Sequence, residues 1–207
     1  MRCLSWGVLC LLMVACQAPQ PVDVVIGLDT SASFAHFQPE ALQGIKSLSQ
    51  RLDPHLDRLS LLRMDRRGIR LLREGPAPGF EGIEAVLKDY GNVADEKLKG
   101  TPYRALLERM LQQLPTADQT SAKTSVCLIL GDLANENEAV LSAAFLKGWA
   151  KQLPPQTQVA FVGISPRFEA QLTPLRQVLY DRLIVVSAAE ERASQTGLKQ
   201  LLYKIQR

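Results

Sequence analysis

Two apolar runs constrain this chain more than anything else in it: Val22-Asp23-Val24-Val25-Ile26-Gly27-Leu28 and Ser125-Val126-Cys127-Leu128-Ile129-Leu130. Each is short, rich in β-branched and aliphatic residues, and close to continuous, as expected for strands covered on both faces. Between and beyond them lie stretches with helical spacing. Pro39 to Leu52 carries Leu42, Ile45, Leu48 and Leu52, and Asp53-Pro54 ends it. Thr101 to Leu114 is the clearest helix, with Tyr103, Leu106, Leu107, Met110, Leu111 and Leu114 on one face. Asn137 to Leu153 follows the same rule through Val140, Leu141, Ala144, Phe145 and Trp149, and Pro154-Pro155 stops it. Thr157 to Ile164 and Leu183 to Val186 read as strands, Arg167 to Tyr180 as mostly helix, and Leu198 to Ile205 as a closing helix. Strands separated by helices require right-handed crossovers and a parallel sheet. The expected class is therefore α/β: a doubly wound, mostly parallel central sheet with helices on both faces.

One pair breaks the alternation. Leu56 to Met64 and Ile69 to Arg73 are joined across Asp65-Arg66-Arg67-Gly68, a hairpin connection that makes them antiparallel. Arg63, Arg66, Arg67, Arg70 and Arg73 decorate this hairpin, and charge on an edge strand resists pairing with other chains. The Val22–Leu28 strand should lie between the Leu56–Met64 and Ser125–Leu130 strands, with Ile69–Arg73 at one edge. Gly75 to Gly79 reads as a loop, Phe80 to Tyr90 as a weaker helix, Gly91 to Gly100 as surface and Pro115 to Thr124 as a polar linker. With 207 residues, 46% of them hydrophobic, the chain can bury one good-sized core, so residues 22–207 read as a single domain. The net charge of +3 is spread out, without the concentrated basic face that a phosphate backbone requires, which argues against a nucleic-acid partner.

Residues 1–15 stand apart from the fold. Met1-Arg2 gives a positive start, Leu4 to Val14 is apolar but short for a membrane span, and Met13-Val14-Ala15-Cys16 follows. Small or apolar residues before a cysteine resemble the bacterial lipoprotein signal, in which Cys16 becomes the lipidated first residue and residues 16–21 form a tether. An ordinary secretory signal with an incidental cysteine is the alternative. The lipoprotein reading implies a bacterial cell envelope location with membrane attachment by the lipid anchor only. Gln17 after the cysteine would favour the outer membrane in a two-membrane organism. Cys3 and Cys10 lie in the discarded segment, so Cys127 alone remains, and its apolar neighbours mark it as a small core residue.

The chemistry gathers where the strands end. Asp29-Thr30-Ser31-Ala32-Ser33 follows the first strand and precedes a helix, the place where open α/β sheets bind ligands. One carboxylate and three hydroxyls are the hard oxygen donors that Mg²⁺ accepts alongside water, although local turn hydrogen bonds would use the same residues. Thr101 stands at the start of the strongest helix, where its hydroxyl is an ordinary N-cap. Asp132 follows the second buried strand, in Leu130-Gly131-Asp132-Leu133-Ala134-Asn135-Glu136. In a doubly wound sheet both share an edge with Asp29.

Asp29, Ser31, Ser33, Thr101 and Asp132, in this order and context, resemble the metal-ion-dependent adhesion site of the von Willebrand factor A family: an Asp-x-Ser-x-Ser loop, a distant Thr and a distant Asp. The resemblance extends over nearly the whole mature chain. It implies that Ser31, Ser33 and Thr101 touch a divalent cation (Mg²⁺, Mn²⁺ or Ca²⁺), while Asp29 and Asp132 act largely through waters. It further implies a non-enzymatic adhesion or assembly module whose metal bridges to an acidic residue of another envelope or extracellular protein. The family often has Asp-Gly after the central strand, whereas here Asp132 is preceded by Gly131 and followed by Leu133.

Other readings compete. A metal-independent interaction lipoprotein with a degenerate site needs none of this chemistry. A metal-dependent, phosphatase-like hydrolase would also start with Asp after its first strand, but would want a second carboxylate where Ser31 stands. A serine hydrolase needs Gly-x-Ser-x-Gly, and Gly163-Ile164-Ser165-Pro166-Arg167 lacks the last glycine. No Gly-x-Gly-x-x-Gly follows the first strand, and His36 and His55 are isolated in sequence.

Overall fold

The computed structural model describes residues 20–31, 33–65, 68–77, 102–115, 124–134, 141–189, 197 and 199–201. The proposed signal and Cys16, Thr101, and the segments expected as a weak helix at 80–90 and a surface stretch at 91–100 lie outside the described residues.

Among the described residues six strands form one sheet: β1 (Val22–Asp29), β2 (Arg58–Asp65), β3 (Gly68–Arg73), β4 (Thr124–Leu130), β5 (Thr157–Ile164) and β6 (Leu183–Ser187), in the order β3-β2-β1-β4-β5-β6. β1 pairs in parallel with both β2 and β4, β4 with β5 and β5 with β6, while β2 and β3 are antiparallel. The expected placement of the Val22–Leu28 strand and of the charged edge strand is thus observed. β3 is half-exposed, as an edge strand carrying Arg70 and Arg73 should be.

Period-two alternation sorts the side chains into two cores. Val22, Val24, Ile26 and Leu28 of β1 join Val126, Leu128 and Leu130 of β4 beneath helix α1 (Gln38–Ser49), which contributes Ala41, Ile45 and Leu48. On the other face Val25, Cys127 and Ile129 meet helices α2 (Tyr103–Gln113), α3 (Ala143–Gln152) and α4 (Thr173–Leu179) through Tyr103, Leu106, Trp149 and Leu175. Cys127 is buried, and burial pushes its thiol up to about 12, so it is an inert core residue.

Element boundaries differ from the sequence reading for local reasons. Ser142 caps α3 by accepting a hydrogen bond from the Phe145 amide at 3.2 Å, so this helix starts at Ala143, while residues 137–140 of the expected helix lie outside the described residues. The expected Arg167–Tyr180 helix is a 3₁₀ segment at Pro166–Leu172, then α4, then a 3₁₀ turn at Tyr180–Arg182. Pro166 and Pro174 each sit at the start of a segment, where a missing amide costs nothing, and Pro174 divides what looked continuous. No helix among the described residues is long and apolar enough to cross a membrane.

Candidate functional site

From β1 the chain crosses to β2 on one side, while β4 lies on the other, so the topological reversal falls between β1 and β4. Beyond the carboxyl ends of these two strands lies the crevice in which such sheets bind ligands. Asp29 is the last residue of β1, and Asp132 is two residues past β4.

Alternation turns Asp29 to the α2 face, with Val25 and Gly27, and it is 0% exposed. Its Oδ1 accepts from the Ser31 amide at 2.7 Å, and its Oδ2 accepts from the Tyr103 hydroxyl. Thr30 points the other way and pins the loop to β2, its amide and hydroxyl both donating to the Met64 carbonyl at 3.2 and 2.7 Å. Ser31 is 4% exposed and Ser33 exposed, and their hydroxyl oxygens are 3.1 Å apart. The chain then turns through Phe34 and Phe37, whose rings are 5.2 Å apart between centroids and pack over Gly163. A Cβ at Gly163 would lie 2.8 Å from Phe34 and 2.9 Å from Phe37, so this neighbouring strand end must be bare for the loop to seat.

The β4 loop is fixed from three sides. The Asp132 Oδ1 accepts from the Ala134 amide at 2.8 Å, its carbonyl accepts from the Ser165 amide at 3.1 Å, and the Leu133 amide donates to the Tyr103 hydroxyl at 3.0 Å. Leu133 adopts φ 58°, a left-handed conformation that favours glycine. Here a leucine adopts it, with its side chain fully buried in the α2 core. The residue after Asp132 thus takes a backbone shape natural to glycine without being one, and burial of the leucine offsets strain on the order of 1–2 kcal/mol.

Gly131 has a different task. A Cβ there would collide with the Tyr103 hydroxyl and approach the Asp29 Cβ at 3.0 Å, so the glycine leaves the gap into which the phenol reaches. Tyr103 therefore belongs to the site. The sequence reading placed it on an apolar helix face and missed this role. The available signal was its polar tip, since a buried tyrosine hydroxyl needs a partner and an apolar face offers none.

Burial pushes the Asp29 carboxyl up to about 6 from 3.8. The Tyr103 hydroxyl and Ser31 amide pull it down, and the negative charge of Asp132 pushes it further up. Tyr103 is held well above the ordinary tyrosine value by burial and by the charges of Asp29 and Asp132. Asp29 and Asp132 are thus close enough for each to bear on the same phenol.

The donor set suits a hard cation. Ligands at adjacent corners of an octahedron with bonds of about 2.1 Å stand roughly 3.0 Å apart, which the Ser31–Ser33 hydroxyl spacing of 3.1 Å matches. No group of three or more His, Cys, Asp or Glu side chains assembles among the described residues, so the donors at this edge are hydroxyls backed by two carboxylates. His36 and His55 are both exposed.

No protein-family model and no curated protein matches the chain. Solved structures match it in fold. The open conformation of the pilus adhesin SpaC from Lactobacillus rhamnosus GG aligns over 91% of this chain and 30% of its own, at 14% identity and a TM-score of 0.63. Proximal thread matrix protein 1 from the mussel byssus aligns over 89% of this chain and 46% of its own, at 14% identity and 0.58. The human COPII-coat protein Sec24c aligns over 91% of this chain and 32% of its own, at 12% identity and 0.57. The chain spans about a third to a half of the length of these structures. At such identities the common property is the fold: a mostly parallel, Rossmann-like α/β sheet with one antiparallel edge pair and helices around it.

Proposed function

We propose that this chain is a non-enzymatic protein-binding module of the bacterial envelope, anchored through a lipid on Cys16, that takes up a divalent cation at Asp29, Ser31, Ser33, Thr101 and Asp132. The observation that carries this reading is the Ser31–Ser33 hydroxyl pair, 3.1 Å apart beside two carboxylates at the β1/β4 switch point. Ser31 and Ser33 present neutral oxygens to the ion. Asp29 cannot swing toward solvent, because the Ser31 amide and Tyr103 hydroxyl hold its two oxygens, so it supplies negative charge from behind the hydroxyls. Asp132 supplies the second charge across the strand gap. When bound, Mg²⁺, Mn²⁺ or Ca²⁺ would supply an electrophilic centre with few negative ligands, at which an acidic residue of a partner completes the coordination. The likeness in fold to a pilus adhesin is consistent with a role in adhesion or assembly.

The test is calorimetric titration with Mg²⁺ and Mn²⁺, followed by capture of envelope proteins with and without chelator. Asp29→Ala should abolish ion binding and reduce capture to the chelator level, Ser31→Ala should do so more mildly, and Ser165→Ala should change neither. A wild type that binds no divalent ion at millimolar concentration, or captures equally well in chelator, sinks the bridge.

A second reading has its own observation. Both Asp29 oxygens are already hydrogen-bonded within the protein, so the loop is held without an ion. A metal-independent interaction domain would then present the same edge, and capture would persist in chelator.

A further inference from the structure

We infer that Tyr103 is the positioning residue that joins the two halves of this edge, its hydroxyl holding the Asp132 loop against Asp29. The phenol stands between them: it donates to the Asp29 Oδ2 and accepts from the Leu133 amide at 3.0 Å. Helix α2 is thereby linked at its first residue to the ends of both β1 and β4. Two features of the β4 loop are built around this hydroxyl. Gly131 is bare where a Cβ would strike it, and Leu133, held at φ 58°, donates its amide to the phenol. A left-handed leucine is uphill, so without an acceptor for its amide the loop would relax toward other conformations and carry Asp132 with it.

For cation binding the consequence rests on the function proposed above. A site assembled from two loops binds best when both are already in place, because any ordering left to the moment of binding subtracts from affinity. Tyr103 does that ordering beforehand. It is not itself a ligand in this scheme, since its oxygen is committed to Asp29 and Leu133.

The experiment uses Tyr103→Phe in the full chain, which keeps the ring in the core and removes only the hydroxyl. Trp149→Phe serves as the control. It deletes the indole hydrogen bond to the Leu107 carbonyl, 2.8 Å long, on the same side of the sheet but outside the site. Hydrogen exchange of the Leu133 amide should quicken about tenfold or more in Tyr103→Phe and stay unchanged in Trp149→Phe, the size expected when one buried hydrogen bond is lost. Mg²⁺ affinity, read by titration, should fall roughly fivefold or more in Tyr103→Phe alone, although both variants lower the urea midpoint. Unchanged Leu133 exchange in Tyr103→Phe, or an equal loss of affinity in both variants, overturns the inference. If the wild type binds no Mg²⁺ while Leu133 exchange still responds to Tyr103→Phe alone, the metal reading falls and the positioning role stands.

Discussion

Asp29 is a carboxylate placed where water cannot reach it, and its titration is the most direct consequence. Because burial raises it to about 6 from 3.8, the folded protein retains a proton that the unfolded chain has already lost between those values. Unfolding then releases protons, so stability should fall as pH rises through that window, by up to ~3 kcal/mol for the full shift. Above it the loss is complete and the curve levels. In chelator, the urea midpoint of the wild type should therefore decline from pH 4 to pH 6.5. Asp29→Asn, which keeps the shape without the ionisation, should flatten that part of the profile. An identical decline in both proteins would place the buried charge elsewhere. Leu133 teaches a related lesson. The sequence shows only a leucine after Asp132; its burial and its amide's hydrogen bond to Tyr103 together hold the left-handed conformation there.

Helix α2 reaches the site because β1 lets it approach. Gly27 lies on the α2 face of β1, and a Cβ there would meet the Leu106 side chain at 2.9 Å. Leu106 is one turn beyond Tyr103 on the same helix face, so whatever lifts one lifts the other. Gly27→Ala asks only the tip of Leu106 to move. Gly27→Val should overpack the contact, cost about 1–3 kcal/mol in urea unfolding, and weaken Mg²⁺ binding through the displaced Tyr103. Destabilisation of Gly27→Val no greater than that of Gly27→Ala would show that α2 is not seated on this glycine. Helical periodicity announced α2 correctly, but not its depth. That distance is set by a residue that is absent as a side chain, and absence has no periodicity.

Across the whole molecule, the two ends of the sheet have separate tasks. At the amino end the Asp57 Oδ1 accepts from the Val22 amide at 2.9 Å and its Oδ2 from the Asp53 amide at 2.7 Å, fixing the point where β1 begins. Asp29 closes the same strand eight residues long, roughly 23 Å away at about 3.3 Å per residue. If the tether before Val22 runs to a lipid on Cys16, the anchor joins one end of the sheet and the candidate site faces the other, away from the membrane. Cys16→Ser should then release the protein from the membrane fraction or leave its precursor unprocessed, with cation binding by the released protein unchanged. Unaltered fractionation and processing in that variant would remove the anchor from the scheme.

The sequence by itself determined the class of fold, because continuous apolar strands separated by amphipathic helices have few ways to bury both faces. It also determined the charged antiparallel edge and the carboxyl end of β4 at Leu130, whereas β1 runs one residue beyond the expected Leu28, to Asp29. It named Asp29, Ser31, Ser33, Thr101 and Asp132; the fold carries Asp29, Ser31, Ser33 and Asp132 to one edge of the sheet, and Thr101 lies outside the described residues. Only the tertiary structure decided how that edge is held: Tyr103 between two loops, Gly131 cleared for its hydroxyl, and Leu133 strained but buried. Those relations join residues about 30 and 74 positions apart, and a one-dimensional pattern carries no signal for a contact made across a sheet. Apolar periodicity records which face is buried, whereas the partner of a single buried hydroxyl is settled only when the elements pack.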